Sequence, residues 1–304
     1  MTGRRISDRR LGGLGLFGAS ASVIAIVLLG GCTSSGHANR VRPTPAPPTG
    51  AKPTQAKGST GSAPTGGSGT FVVRFEDPAP ADTQAAALLR DRAAMEAVAA
   101  ALNDFVAPGR EITLVGRSCA GAGSAYDDAT GRIAMCYDDV SDVRETFEGG
   151  GRHPADDEVL AVVTEVLYHE AGHALVDTLD LNVADAAEED VADRFAAFME
   201  LRRGAEGERQ LRAVLEEYRL SAAEDDQTDE DATAAPDTTG DDALPDSARA
   251  TNLLCYLYGS APDGNRDLLS TNLLPPERAA GCAGEWTNIR DTWLKDLKPA
   301  LRTH

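Results

Sequence analysis

Residues 166–175 read VLYHEAGHAL, and here two of the chain's five histidines stand four apart with a glutamate directly after the first. On an α-helix, positions i and i+4 share a face, so His169 and His173 can aim their rings at one point, while Glu170 falls about 100° round. Neutral imidazole nitrogens bind zinc, and a carboxylate that borders the ion without binding it can take a proton from a water molecule. The competing reading is a buried helix whose histidines are satisfied by hydrogen bonds. Ala171 and Gly172 inside the motif are small, and DEVLAVVTEVLY leads into it as a mostly apolar helix. The motif therefore sits on a helix fit for burial.

A catalytic zinc needs a third protein ligand and one position left for water. The metzincin extension would place Gly at 176 and His at 179, but the chain has Val176 and Leu179. Downstream, AEEDVADRFAAFMELRR (187–203) reads as a second helix, stopping at Gly204. Its acids Glu188, Glu189 and Asp190, with Asp185 just before, are all candidate ligands, and each also suits a solvated first turn beside the helix dipole. Glu189 and Asp193 are spaced to share a face, beside an apolar stripe of Val191, Phe195, Phe198 and Met199. EDVADRFAAFM resembles the third-ligand helix of thermolysin-like gluzincins. That resemblance implies Glu189 as the ligand and Asp193 as the group that orients His169.

Further landmarks are AYD (125–127), RIAMCYD (132–138), LLCYLYGSAPD (253–263) and RAAGC followed by Glu285 and Trp286. With HEAGHAL and EEDVADRFA they resemble a bacterial metallopeptidase family of otherwise unknown function, over about residues 71–300. The resemblance implies an α+β, zincin-like fold, mainly helical with a small antiparallel sheet, and one Zn²⁺. It also makes RIAMCY the edge strand on which an extended peptide would pair. A donor that shares the developing negative charge of the transition state is left open among His153, Tyr126, Tyr137, Tyr168, Tyr256 and Tyr258.

The elements that must position these groups are legible in outline. FVVRFE (71–76), EITLVGR (111–117) and RIAMCY (132–137) read as strands, with DDATG (127–131) as a turn. Residues 81–106 read as one helix, with Asp82 as its N-cap and Pro108-Gly109 as its breaker. A loop at 148–157 precedes the motif helix. Further helices are expected at 206–222, 247–259 and 276–298. Residues 224–246 hold ten acids and no Lys or Arg, which reads as a disordered acidic loop at about 223–247.

The N-terminus speaks to location. MTGRRISDRR is followed by 21 uncharged residues, Leu11 to Gly31, the pattern of an export signal. LGGC at 29–32 resembles a lipoprotein lipobox, which implies a signal peptide over 1–31 and lipid on Cys32. Residues 32–70 contain no Asp or Glu and are rich in Pro, Gly, Ser and Thr, as in a flexible stalk. The catalytic domain is then 71–304. In an oxidising compartment the other four cysteines can pair, and proximity favours Cys119 with Cys136 and Cys255 with Cys282. Residues 71–304 hold 21 basic and 47 acidic side chains, a balance that repels nucleic acid and anionic membrane surface. The expected function is a membrane-anchored zinc peptidase acting on peptide or protein, with Glu170 as general base. The alternative is a non-catalytic lipoprotein that binds zinc and a partner through the same scaffold.

Overall fold

The first element described is a strand held by a side-chain clamp. The computed structural model describes residues 68–231, 244–270 and 274–302. Strand β1 (Phe71–Phe75) is β-rich and half-buried, and Asn103 pins it: the Phe71 amide donates to Asn103 Oδ1 at 2.8 Å and Asn103 Nδ2 donates to the Phe71 carbonyl at 2.7 Å. Asn103 lies on α2 (Ala94–Phe105), which follows α1 (Thr83–Asp91). The single helix expected here is broken at Ala93, whose φ is +49°. The break lets Ala85, Ala86 and Leu89 of α1 and Met95, Val98 and Leu102 of α2 enter the core from different directions. Asp82 does not cap α1 with its side chain, because its carboxylate accepts from the Ser118 hydroxyl instead.

The sheet is small and mixed, in the order β1-β2-β4-β3. β2 (Ile112–Arg117) runs parallel to β1 and to β4 (Arg132–Cys136), and only β3 (Ala125–Asp127) is antiparallel, to β4. The antiparallel sheet expected from the resemblance is thus corrected. A helical crossover of α1 and α2 joins β1 to β2, and such crossovers make parallel pairs. The DDATG turn does close a hairpin: the Gly131 amide donates to the Asp127 carbonyl at 2.8 Å, with Gly131 at φ +66°. RIAMC is an inner strand, so its expected edge role is also corrected. The edge beside the motif helix is β3, whose three residues carry too little pattern to announce a strand.

From β4 the chain passes without a loop into α3 (Tyr137–Gly149). The long α4 (Asp156–Thr178) follows and holds the HEAGH segment; it is long and apolar enough to cross a membrane, but its apolar window is 94% buried inside the protein. It is the central helix, packed against α2, α3, β3, β4, α5 (Glu188–Leu201) and α6 (Ala205–Asp231). α6 extends to Asp231, past the point where an acidic loop was expected to begin. α7 (Asp246–Ser260) and α8 (Pro276–Asp296) complete the helical layer. Aromatic contacts knit it together, with Phe195 of α5 at 4.7 Å from Trp293 of α8, centroid to centroid. The disulfides are Cys119–Cys136 and Cys255–Cys282, as proximity suggested. Cys32, residues 1–31, most of the 32–70 stalk and residues 232–243 of the acidic stretch lie outside the described residues.

Candidate metal centre

α4 and α5 meet as an antiparallel pair. His169 faces Asp193 and His173 faces Glu188, so the earlier position on one helix meets the later position on the other. Gly172 permits the close approach: a Cβ there would lie 3.0 Å from Ala192 Cα and 3.2 Å from Phe195 Cβ. With small residues at the crossing, the first turn of α5 reaches the histidine face of α4.

Each imidazole has an outer and an inner nitrogen. The outer ones are taken by carboxylates: His169 Nδ1 lies 2.8 Å from Asp193 Oδ1, and His173 Nδ1 lies 2.8 Å from Glu188 Oε1. The inner ones face each other, His169 Nε2 and His173 Nε2 being 3.2 Å apart. Glu189 completes the triangle with both oxygens of its carboxylate, Oε2 lying 3.4 Å from His169 Nε2 and Oε1 3.4 Å from His173 Nε2. Donors about 2.0–2.1 Å from a tetrahedral zinc stand about 3.3–3.4 Å from one another. The three side chains therefore have the mutual spacing of ligands around one ion. They form one of the two described groups of potential metal ligands, the other being the Cys119–Cys136 disulfide with Asp138. Bridged sulfurs are spent, which leaves the histidine pair.

The charges of this cluster act strongly on one another. Burial opposes the His173 imidazolium, but hydrogen bonds to Glu188 and Glu189 push its pKa up to about 10. The same histidine pairings outweigh burial at Glu189 and hold its carboxyl down at about 2. Asp193 also resists the push of burial, and the Arg249 charge and the His169 contact keep it far below the usual carboxylate range. Glu170 behaves in the opposite way, because its complete burial raises its pKa.

Glu170 is held by β3. The Tyr126 amide donates to Glu170 Oε2 at 2.7 Å, while Glu170 Oε1 is buried and has no hydrogen-bond partner among the described residues. In an antiparallel strand the amide and carbonyl of one residue point the same way. Since the Tyr126 amide donates to Glu170 and so points away from β4, its carbonyl does too. The Tyr126 hydroxyl is engaged farther along, donating to Asp177 Oδ2 at 2.6 Å and accepting from Arg110 at 2.8 Å.

The other sequence candidates are placed elsewhere. His153 is exposed on the loop before α4; from Asp156 at the start of that helix to His169 is about 20 Å at 1.5 Å per residue. Tyr137 donates to the Glu76 carbonyl at 2.9 Å. Tyr168 is buried on the opposite face of α4, lining a cavity of about 430 Å³. Tyr256 lines a small cavity beside Asp193, and Tyr258 packs partly buried against the core. Of the rival acids, Glu188 serves the outer nitrogen of His173 and Asp190 pairs with Arg194 at 2.6 Å. Asp185 lies in the short turn of 3₁₀ helix before α5.

Three participants escaped the sequence reading: Glu188 as a histidine partner, the Tyr126 amide, and Arg249 on α7, which donates to Asp193 from Nε at 2.8 Å. A lone arginine at helical spacing with Leu253 and Tyr256 was the available signal for the last. A family model matches residues 75–297, and its description is "Putative metallopeptidase". A search of curated proteins and a search of solved structures each return no match.

Proposed function

We propose that this chain, which belongs to the family matched over residues 75–297, is a zinc-dependent peptidase whose ion is held by His169, His173 and Glu189. When bound, zinc would polarise a water molecule and the scissile carbonyl, bringing the water's pKa towards about 7. The rest of the work falls to the chain's own groups. Glu170 accepts the water's proton at Oε1 and delivers it to the leaving amine. The Tyr126 amide keeps the carboxylate in place through Oε2. Asp193 and Glu188 hold the two rings with their inner nitrogens turned to the ion. The outward edge of β3 offers the Tyr126 carbonyl to an extended substrate backbone, a form of strand addition.

One observation carries the enzyme reading. A purely structural zinc site closes its fourth position with a protein ligand, whereas this cluster has a buried glutamate beside it with one oxygen unpartnered among the described residues. The N-terminal pattern supports an exported enzyme tethered through lipid on Cys32, with its substrate in the extracytoplasmic space. Glu170→Gln tests the reading. The variant should bind zinc and fold as the parent does, while cleavage of a mixed peptide pool falls by at least about 10²-fold. Undiminished cleavage would remove the enzyme assignment.

A further inference from the structure

Behind the candidate ligands lies a second layer of charge that the proposed chemistry does not use. Arg249 projects from α7 and its side chain is 6% exposed. It grips Asp193 with two nitrogens, Nε at 2.8 Å from Oδ2 and Nη2 on Oδ1, the oxygen that also meets His169 Nδ1. The guanidinium is itself held from α6, lying 4.9 Å over the Tyr218 ring. The Tyr218 hydroxyl donates to Glu165 Oε1 at 3.0 Å, and Glu165 stands on α4 one turn before His169. The path thus leaves α4 at His169, passes through α5, α7 and α6, and returns to α4 at Glu165.

We infer that Arg249 is a positioning residue for the metal centre, acting through Asp193 on the ring of His169. The inference rests on the zinc reading above. A carboxylate on a flexible side chain can rotate, and a rotated Asp193 would let the imidazole tilt its inner nitrogen off the common point. A two-pronged guanidinium fixes the plane of the carboxylate, which a single point charge does not. Stacking on Tyr218 fixes the guanidinium in turn. The set of the His169 ring is thereby coupled to the seating of α7, a helix that contributes no ligand.

The test is a double-substitution cycle read by zinc affinity, measured by competition with a chromophoric chelator on the full chain. Arg249→Met should weaken zinc binding by about 10–100-fold, and Arg249→Lys should recover only part of that loss. In an Asp193→Asn background, Arg249→Met should add less than about threefold, since the path is already cut. Parental affinity in Arg249→Met, or losses that simply multiply in the double variant, would overturn the inference while leaving the zinc reading intact. If Arg249→Met does not fold, Arg249→Lys alone and in the Asp193→Asn background supplies the same cycle. Failure of the unsubstituted chain to take up zinc would remove the proposed function and this inference together.

Discussion

The two ring nitrogens of a histidine do different work, and here the division is complete for both. Asp193 and Glu188 engage the outer nitrogens, and Glu189 lies between the inner ones. Spacing alone placed His169, His173 and Glu170 on one helix, because helical geometry converts sequence distance into direction. It did not separate Glu188 from Glu189, since adjacent residues on a first turn differ by a rotation that depends on how the helix docks. Residue-scale physics also marks a group away from the centre. Asp139 is fully buried, and burial pushes its carboxyl up to about 7 against the hydrogen bonds from Ser124. Unfolded, it titrates near 3.8. Between those values the folded chain keeps a proton that the unfolded chain has lost, so stability from this group is full below about 3.8 and falls until about pH 7. Asp139→Asn should therefore raise the free energy of unfolding in urea at pH 8, by at most a few kcal/mol, and change it little or lower it near pH 4. An equal effect at both pH values would show that Asp139 is not the titrating group.

Among elements, most helices and three of the four strands were legible, whereas α3, the three-residue β3 and the direction of strand pairing were not. A helix of the length of α4 or α8 repeats its apolar pattern several times, whereas a strand such as β3 has three residues and depends on a partner. Whether neighbouring strands are parallel depends on connections that close in space. The break at Ala93 was hidden for a similar reason, since alanine favours helix and only the packing of α1 and α2 demands the kink. The α4–α5 crossing is the element contact on which the site depends most. Gly172→Ala would force a methyl against Ala192 and Phe195 and push α5 outward. Overpacking of this kind costs about 1–3 kcal/mol. The variant should melt at a lower temperature in thermal denaturation and bind zinc more weakly in titration. An unchanged melting temperature would mean that the crossing has slack.

For the whole molecule, charge and compartment set the terms. The acidic excess over residues 71–304 repels anionic polymers, and the two disulfides are of a kind that persists in an oxidising compartment. The bridge between Cys255 and Cys282 ties α7 to α8, so the helix that carries Arg249 is fastened from outside the site. Everything functional nevertheless reduces to whether three side chains from two helices converge on one ion. Anomalous diffraction at the zinc edge, on crystals of the purified protein, reads this directly. The expected result is a single strong peak about 2.0–2.2 Å from His169 Nε2, His173 Nε2 and a Glu189 oxygen, with Glu188 still on the outer nitrogen of His173. No peak there, or a peak coordinated by Glu188 with Glu189 turned to solvent, would contradict it.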